Sequence, residues 1–350
     1  MRSNTLDKAV YGTAVGGVDL FMTANVIEVN NLEHSYGDLK AVDNISFTVQ
    51  EGEIFSFLGP NGAGKSTVIN ILTTLRKIQK GKAKVNGYDV AKESKYVRKS
   101  IGIVFQMMCL DFEMTVCENL EYHGKIYSMP KEERRKRINE LLKLTELESK
   151  RNTLAKDLSG GMKRRLELAR GLMTKPAVLF LDEPTIGFDI QTRMRMWEYL
   201  REIKREGTTI FMTTHYMEEA DQLSDRISII DHGKIIVTGS ALELKNKLGK
   251  DLLYLETSDN KVAAEVLRTI ESVTAVNDDA KSLRIMLGVD VTHILPKIMD
   301  SIRQKGIEIT TVNIKKPSMD DVFVHYTGHD LREGETQEKH EEGETVEALK

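Results

Sequence analysis

The chain has 350 residues, 40% of them apolar, which is enough for one large core and, as we expect, for more than one domain. No apolar run approaches the roughly 18 residues that span a bilayer, so any membrane role is expected to come through a partner. The formal net charge of −3 gives no electrostatic case for nucleic acid as a partner. The two cysteines, Cys109 and Cys117, lack a metal-type spacing and are assigned no chemistry.

The chain begins with a segment that shows no regular pattern. Residues 1–24 have no clear period and no hydrophobic stretch long enough for a secretory signal, so they are predicted to be a flexible extension. Translation could start at Met1 or at Met22, which lies just before the first predicted strand. From residue 26 the pattern is β-like, with a strand at 26–29, alternation at 45–49 and a buried strand at 54–58.

A glycine-rich turn joins this buried strand to an amphipathic helix. Such a turn aims backbone N–H groups and the positive end of the helix dipole at one point, which suits a phosphate. Lys65 is placed to reach the β- and γ-phosphates and the Ser66 hydroxyl to ligate magnesium. The predicted nucleotide-binding loop consists of Gly59, Pro60, Asn61, Gly62, Ala63, Gly64, Lys65, Ser66 and Thr67.

Two single residues near this loop are candidates with open alternatives. Tyr36, predicted in the loop between the first two strands, is either an adenine-stacking ring or an ordinary packed tyrosine, and spacing does not decide between them. Gln106 ends a predicted strand at 101–105, where its side chain could touch magnesium or the attacking water. Taken alone, the glutamine is a weak signal.

A second hydroxyl and glycine pair precedes a later helix. Ser159, Gly160 and Gly161 at a helix N-terminus form either another anion site or a plain helix cap, and without the first loop the cap would be favoured. Lys163, Arg164 and Arg165 follow in the first turn. Positive charges there interact unfavourably with the helix dipole. The cost is small on an exposed helix, and the charges would suit a bound phosphate or an acidic partner surface.

Acidic residues follow a fully apolar strand at residues 178–181. Carboxylates at the end of a buried strand are costly unless they hold a cation or do chemistry. Asp182 is therefore predicted to hold magnesium through water, and Glu183 to orient and polarise the attacking water. A second buried strand at 209–213 leads to His215, which is placed to hydrogen-bond the γ-phosphate.

Residues 25–245 resemble the nucleotide-binding subunits of ATP-binding cassette (ABC) transporters. The family's motifs occur in its order: the A-loop aromatic Tyr36, Walker A at 59–67, the Q-loop Gln106, the signature LSGGM at 158–162, Walker B with its glutamate at 178–183, the D-loop at 186–189 with Asp189, and the switch histidine His215. The resemblance implies a P-loop α/β fold of mixed sheet, with an antiparallel part and a helical subdomain at about 107–165. It also strengthens the assignments of Tyr36, Gln106, Ser159 and His215.

The resemblance also implies a mechanism and partners. ATP and Mg²⁺ would be held between one chain's Walker A loop and the signature motif of a second copy or paired cassette. Ser66, Gln106 and Asp182 are the implied metal residues, and Glu183, His215 and Gln106 the implied catalytic ones. A separate integral-membrane permease docked near the Q-loop would make the chain a peripheral protein of the cytoplasmic membrane face. The alternative, an ABC ATPase acting on ribosomes or chromosomes, is disfavoured by the single uninterrupted cassette without sustained heptads.

The last third of the chain restarts the pattern. The order βαββαβ over 250–327 predicts a small α+β domain of the ferredoxin-like type, used for regulation or dimer contact. Residues 317–323 form a predicted capped helix, and with 326–328 they resemble the ending of daunorubicin-resistance-type exporters of drugs and antibiotics. Residues 328–350 are predicted to be an acidic disordered tail, with eight acids and three bases from residue 329 onward.

Overall fold

Residues 24–279 and 282–328 are described from a computed structural model. The predicted N-terminal extension and acidic tail lie outside these residues, apart from Ala24 and Gly328. No helix within the described ranges combines the length and the apolar composition that crossing a bilayer requires.

The N-terminal unit, residues 24–248, contains two sheets. One is antiparallel, in the order β2-β1-β4-β5, and the other is mainly parallel, in the order β10-β9-β3-β8-β7-β6, with β10 alone antiparallel. The strands are β1 (Asn25–Tyr36), β2 (Leu39–Gln50), β3 (Ile54–Leu58), β4 (Lys80–Val85), β5 (Tyr88–Asp89), β6 (Ile101–Val104), β7 (Val178–Asp182), β8 (Thr209–Thr214), β9 (Arg226–Asp231) and β10 (Lys234–Gly239).

The three central strands of the parallel sheet are fully buried. Every residue of β3, β7 and β8 is buried, as expected of parallel strands covered on both faces. On one face, Phe47 from the antiparallel sheet meets Phe55, Phe57 and Phe211, with ring centroids 4.9–6.0 Å apart. The opposite face carries a second core of helices against Leu179 and Leu181.

Helices cover the parallel sheet and build a separate layer beside it. The helices are α1 (Lys65–Leu72), α2 (Ser94–Ser100), α3 (Val116–Ile126), α4 (Lys131–Leu144), α5 (Gly160–Gly171), α6 (Ile190–Arg205), α7 (Met217–Leu223) and α8 (Ala241–Lys247). Helices α3 and α4 and the start of α5 occupy the stretch predicted as a helical subdomain. Thr115 begins α3 with a capping box to Glu118, and Ser159 caps α5.

The C-terminal unit, residues 251–328, shows the predicted βαββαβ order followed by a helix. Its elements are β11 (Asp251–Thr257), α9 (Asn260–Arg268), β12 (Val273–Asp279), β13 (Ser282–Leu287), α10 (Val291–Arg303), β14 (Ile309–Lys315) and α11 (Met319–Thr327). The sheet is antiparallel in the order β12-β13-β11-β14. Assignment to the ferredoxin-like class, like the limits of the domains, stays a prediction.

The two units share one apolar cluster. Met319, Val322 and Phe323 of α11 pack in a cluster with Ile229 of β9 and Leu244 of α8. Ser318 closes a capping box with Asp321 at the start of this helix, as the sequence predicted. Helix α11 therefore packs against the N-terminal unit although it ends the C-terminal one.

Candidate active site

The parallel sheet brings the candidate residues together. Strands β3, β8 and β7 are neighbours, and their carboxyl ends lie at one edge of the sheet. The glycine loop follows β3, Glu183 follows β7 and His215 follows β8. Residues more than a hundred positions apart in the chain thus meet at one site.

At Gly64, a close backbone contact in the glycine loop leaves no room for a side chain. A Cβ on Gly64 would lie 2.2 Å from the Ala41 carbonyl oxygen, and its φ of +100° disfavours other residues. Lys65 is buried, and its Nζ donates to the carbonyl oxygens of Gly59 and Pro60 at 2.8 and 2.9 Å. The ammonium group is thereby held at the mouth of the loop, where the phosphates are expected.

Oxygen ligands suited to a magnesium ion converge beside Lys65. Ser66 Oγ donates to Asp182 Oδ1 at 3.1 Å, and Thr213 Oγ1 donates to the same oxygen at 2.6 Å. Mg²⁺ prefers oxygen ligands, which hydroxyl and carboxylate groups supply. Within the described ranges no group of three or more His, Cys, Asp or Glu is arranged for a metal. The Ser66 and Asp182 pair therefore fits an ion that keeps most of its ligands from water and phosphate.

Glu183 lies between a cation and an imidazole. Its Oε1 is 3.4 Å from Lys65 Nζ, and its Oε2 is 3.2 Å from His215 Nδ1. Burial alone would raise the pKa of Glu183, but the adjacent His215 imidazole and the Lys65 charge outweigh burial and lower the pKa. The backbone φ of +48° is unusual for a glutamate, and Thr213 holds it by accepting the Glu183 N–H.

The two weaker candidates lie differently from the prediction. Tyr36 is the last residue of β1 instead of lying in the following loop, because β1 is longer than the apolar pattern indicated. Its Oη is 3.4 Å from Thr67 Oγ1, and the Arg76 guanidinium covers its ring at 4.5 Å. Gln106 is exposed two residues beyond the end of β6, and in the described part of the chain its side chain makes no hydrogen bond to Ser66 or Asp182.

The signature motif and the D-loop share a cavity of about 420 Å³. Its lining includes Ser159, Gly160, Gly161 and Asp189, but no described residue from Gly59–Thr67. Ser159 caps α5 by accepting the Met162 N–H, and Asp189 caps α6 by accepting the Thr192 N–H. Within the described ranges, the glycine loop and the signature motif of one chain therefore do not line the same cavity.

Sequence reasoning missed several residues of the site and left the place of one open. Thr213 was not singled out, because a threonine in a buried strand carries no motif signal. The sequence left open whether Arg164 lies on an exposed helix or beside a phosphate or an acidic partner; the structure shows it buried, donating to backbone carbonyls around Glu183. Glu219 was also missed; it is buried beneath the site and accepts hydrogen bonds from Thr185 and Trp197.

Family models match both units of the chain. The model for ABC transporters matches residues 42–186, and that for the C-terminal domain of DrrA1-3-like ATP-binding proteins matches residues 239–327. The daunorubicin resistance ATP-binding protein DrrA3 of Streptomyces coeruleorubidus is 39% identical over 89% of this chain and 98% of its own. The linearmycin resistance ATP-binding protein LnrL of Bacillus subtilis is 34% identical over 88% of this chain and 100% of its own.

A solved structure supports the same family assignment. An ATP-binding cassette determined as a dimer in a post-hydrolysis state with ADP and Pi is 30% identical, with a TM-score of 0.56. The match covers 61% of this chain and 98% of that structure. The chain therefore belongs to the ATP-binding subunits of ABC transporters, in the daunorubicin-resistance family of exporter ATPases.

Proposed function

We propose that this ATPase subunit binds ATP with Mg²⁺ and uses its hydrolysis to drive export through a separate membrane permease. The contact of Glu183 with both Lys65 and His215 carries the proposal, because it places an ionised carboxylate between a phosphate-binding cation and a second polar group. Drug and antibiotic efflux, or that of another amphiphile, is the proposed cargo class, after the names of the relatives. Those relatives also disfavour the ribosome or chromosome alternative.

Each residue has a defined task in the proposed reaction. Lys65 and the loop N–H groups would bind the β- and γ-phosphates, and Ser66 and Asp182, with Gln106, would hold the ion. Bound Mg²⁺ would neutralise charge that develops on the phosphate oxygens. Glu183 orients a water and accepts its proton as the water oxygen bonds to the γ-phosphorus, while the bond from the γ-phosphorus to the bridging oxygen breaks and ADP leaves with that oxygen. His215 hydrogen-bonds the γ-phosphate.

Two copies, or a pair of cassettes, are proposed to complete each site. Residues Gly59–Thr67 do not line the cavity around Ser159 and Asp189, which supports this arrangement. The nucleotide would contact the glycine loop of one chain and the signature motif of the other. ATP would close the pair, and hydrolysis would weaken it.

An apolar surface near Gln106 is the proposed docking site for the permease at the cytoplasmic face of the membrane. We call it the Q-loop surface. It exposes large apolar side chains, Met107 being 81% exposed and Ile126 60%. Leu75 and Tyr127, which belong to this surface, line a cavity of about 220 Å³. The surface comprises Leu75, Met107, Met108, Phe112, Ile126 and Tyr127.

Substitution of the proposed catalytic carboxylate tests this function. Glu183→Gln keeps the shape of the side chain but cannot act as a base, so kcat is expected to fall by about 100-fold or more. ATP binding should persist, and ATP-bound dimers should accumulate, because the phosphate ligands are unchanged. Phosphate release and analytical ultracentrifugation with ATP measure the two effects.

Glu53→Gln is the matched control. Glu53 is another buried glutamate, but it precedes β3 at the opposite edge of the sheet and pairs with Arg226. The control should retain kcat within about twofold, since general-base catalysis does not involve it. Turnover by Glu183→Gln near the wild-type rate would remove Glu183 from its assigned role.

A further inference from the structure

A buried ion pair lies directly behind the catalytic carboxylate and has no task in the reaction described above. Arg164 and Glu167 lie on α5, three residues apart, and are 4% and 0% exposed. Arg164 Nη1 donates to Glu167 Oε2 at 2.9 Å. The pair begins three residues after Gly161 of the signature motif, within the first two turns of α5.

Every N–H of the Arg164 guanidinium has an acceptor. A guanidinium has five donors. Besides Glu167, the acceptors are backbone carbonyl oxygens of two different segments: Phe105, the residue before Gln106, and the Walker B turn. They are Phe105, Pro184 at 3.0 Å, Asp182 at 3.2 Å and Glu183 at 3.3 Å.

Glu167 extends this contact into the Q-loop. Its Oε1 accepts the backbone N–H of Cys109 at 2.5 Å and lies 3.7 Å from Arg170 Nη2. The pair thus joins α5, both sides of Gln106 and the turn that contains Glu183. Met107 and Met108 of the Q-loop surface lie between the two Q-loop contacts.

The arrangement is not explained by stability alone. A buried ion pair is often no more stabilising than apolar side chains of similar volume, since both charges must leave water. Burial lowers the pKa of Arg164, while Glu167 opposes that effect. The hydrogen bond to the Glu183 carbonyl, however, acts on a residue whose φ of +48° is unusual for a glutamate and needs support from its surroundings. Apolar side chains cannot supply that restraint.

We propose that Arg164 and Glu167 are positioning residues that fix the Glu183 backbone relative to the Q-loop. A displacement of the Q-loop surface by a docked permease reaches Glu183 through this pair, so the pair couples docking to hydrolysis. The proposal rests on the function proposed above. It assigns the pair no contact with nucleotide.

The test replaces the pair with apolar residues in the full-length chain. Arg164→Met combined with Glu167→Leu should fold, because the two charges are removed together. We expect kcat to fall by about 10- to 100-fold through misplacement of Glu183, with KM for ATP within about twofold. Amide hydrogen exchange of the segment containing Cys109 should accelerate, since its N–H loses its acceptor. If the pair were purely structural, the double variant would have a lower melting temperature but would not combine a reduced kcat with an unchanged KM.

Arg226→Met with Glu53→Leu is the matched control. This pair also joins a buried glutamate to an arginine that donates to a carbonyl oxygen, but at the opposite edge of the sheet. It should leave kcat within about twofold, as expected for a site that does not position Glu183. Wild-type kcat in the Arg164 and Glu167 double variant, with Glu183→Gln inactive, would overturn the inference and leave the proposed function intact. Active Glu183→Gln would instead overturn the proposed function.

Arg164→Lys decides the matter if the double variant does not fold. A lysine keeps the charge opposite Glu167 but has three donors for five acceptors. We expect a loss in kcat of at least about threefold with KM retained, because the restraint on Glu183 is only partly kept. Unchanged kcat in this variant would contradict the positioning role.

Discussion

Thr213 shows how a residue without a motif can control two catalytic groups. Its hydroxyl donates to Asp182 Oδ1 at 2.6 Å and accepts the Glu183 N–H at 3.1 Å. One buried hydroxyl therefore orients the proposed metal carboxylate and supports the strained backbone of the proposed catalytic one. Thr209, four residues earlier in the same buried strand, contacts neither and accepts the Gly52 N–H instead.

Thr213→Val is expected to lower kcat for ATP hydrolysis by about tenfold, because Asp182 loses a hydrogen bond and Glu183 loses part of its support. Thr209→Val is the control and should change stability only, by about 1 kcal/mol. Steady-state phosphate release, together with thermal melting of both variants, separates the two effects. Equal kcat values for the two variants would show that Thr213 does not act on the site.

His123 makes stability depend on pH. Burial, and next the charge of Arg170, lower its pKa to about 4. In the unfolded chain His123 takes up a proton near pH 6.5, whereas in the folded chain it does so only near pH 4. The contribution of His123 to the free energy of unfolding is therefore fully present above pH 6.5 and decreases as the pH falls towards 4. The loss between pH 7.5 and 5 should be roughly 2 kcal/mol.

His123→Gln should remove this part of the pH dependence, since glutamine does not titrate. The measurement is the free energy of unfolding in urea at pH 7.5 and pH 5 for both proteins. Ile126→Gln, at a residue 60% exposed on the same helix, is the control and should keep the wild-type pH dependence, because neither side chain titrates. A wild-type pH dependence in His123→Gln would place the acid sensitivity elsewhere.

The sequence predicted that residues at the ends of buried strands and in the glycine loop would meet, and the structure brings several of them together, while their roles stay predictions. Lys65, Asp182, Glu183 and His215 belong to this group, because strand ends meet at one edge of a parallel sheet whatever the loops do. Thr213 and the pair of Arg164 and Glu167 could not be found in this way. Their partners are backbone groups of segments far along the chain, so their roles depend on tertiary packing.

At the level of elements, patterning predicted the order correctly and some boundaries incorrectly. The apolar alternation indicated the start of β1 but not its extension to Tyr36, because the later part of this strand carries polar residues that pair with β2 and β4. Strand β6 ends at Val104, one residue before the predicted end. The βαββαβ order and the capped helix α11 were predicted, whereas the packing of α11 on the N-terminal unit was not.

Helix α11 offers a prediction about how the two units are held together. Phe323 is fully buried in the cluster shared by both units. Phe323→Ala should cost about 3–5 kcal/mol, because it removes a ring from a filled core. If the lost free energy comes from the packing of α11 against the N-terminal unit, amide exchange of the helix should accelerate by about 100-fold or more.

His325→Ala is the matched control on the same helix, since His325 is exposed. Its α11 amides should exchange within about threefold of the wild-type rate, as expected for a surface substitution. Hydrogen exchange followed by mass spectrometry measures both variants. Slow exchange of α11 in Phe323→Ala would show that other contacts suffice to hold the helix.

For the whole molecule, the central claim is that this subunit works through a separate membrane permease. Large apolar side chains are exposed on the Q-loop surface. A surface of this kind marks an interaction site. Met107→Glu combined with Ile126→Glu should therefore abolish permease binding, whereas Leu242→Glu, at a residue 67% exposed on α8, should not.

The most direct measurement is purification of the tagged chain from detergent-solubilised membranes of its host, with identification of the proteins bound to it. We expect a stoichiometric integral-membrane polypeptide with the wild type and with Leu242→Glu, and none with the Met107 and Ile126 double variant. A chain that brings down no membrane polypeptide, or that retains ribosomes or DNA-associated proteins, would contradict the exporter account.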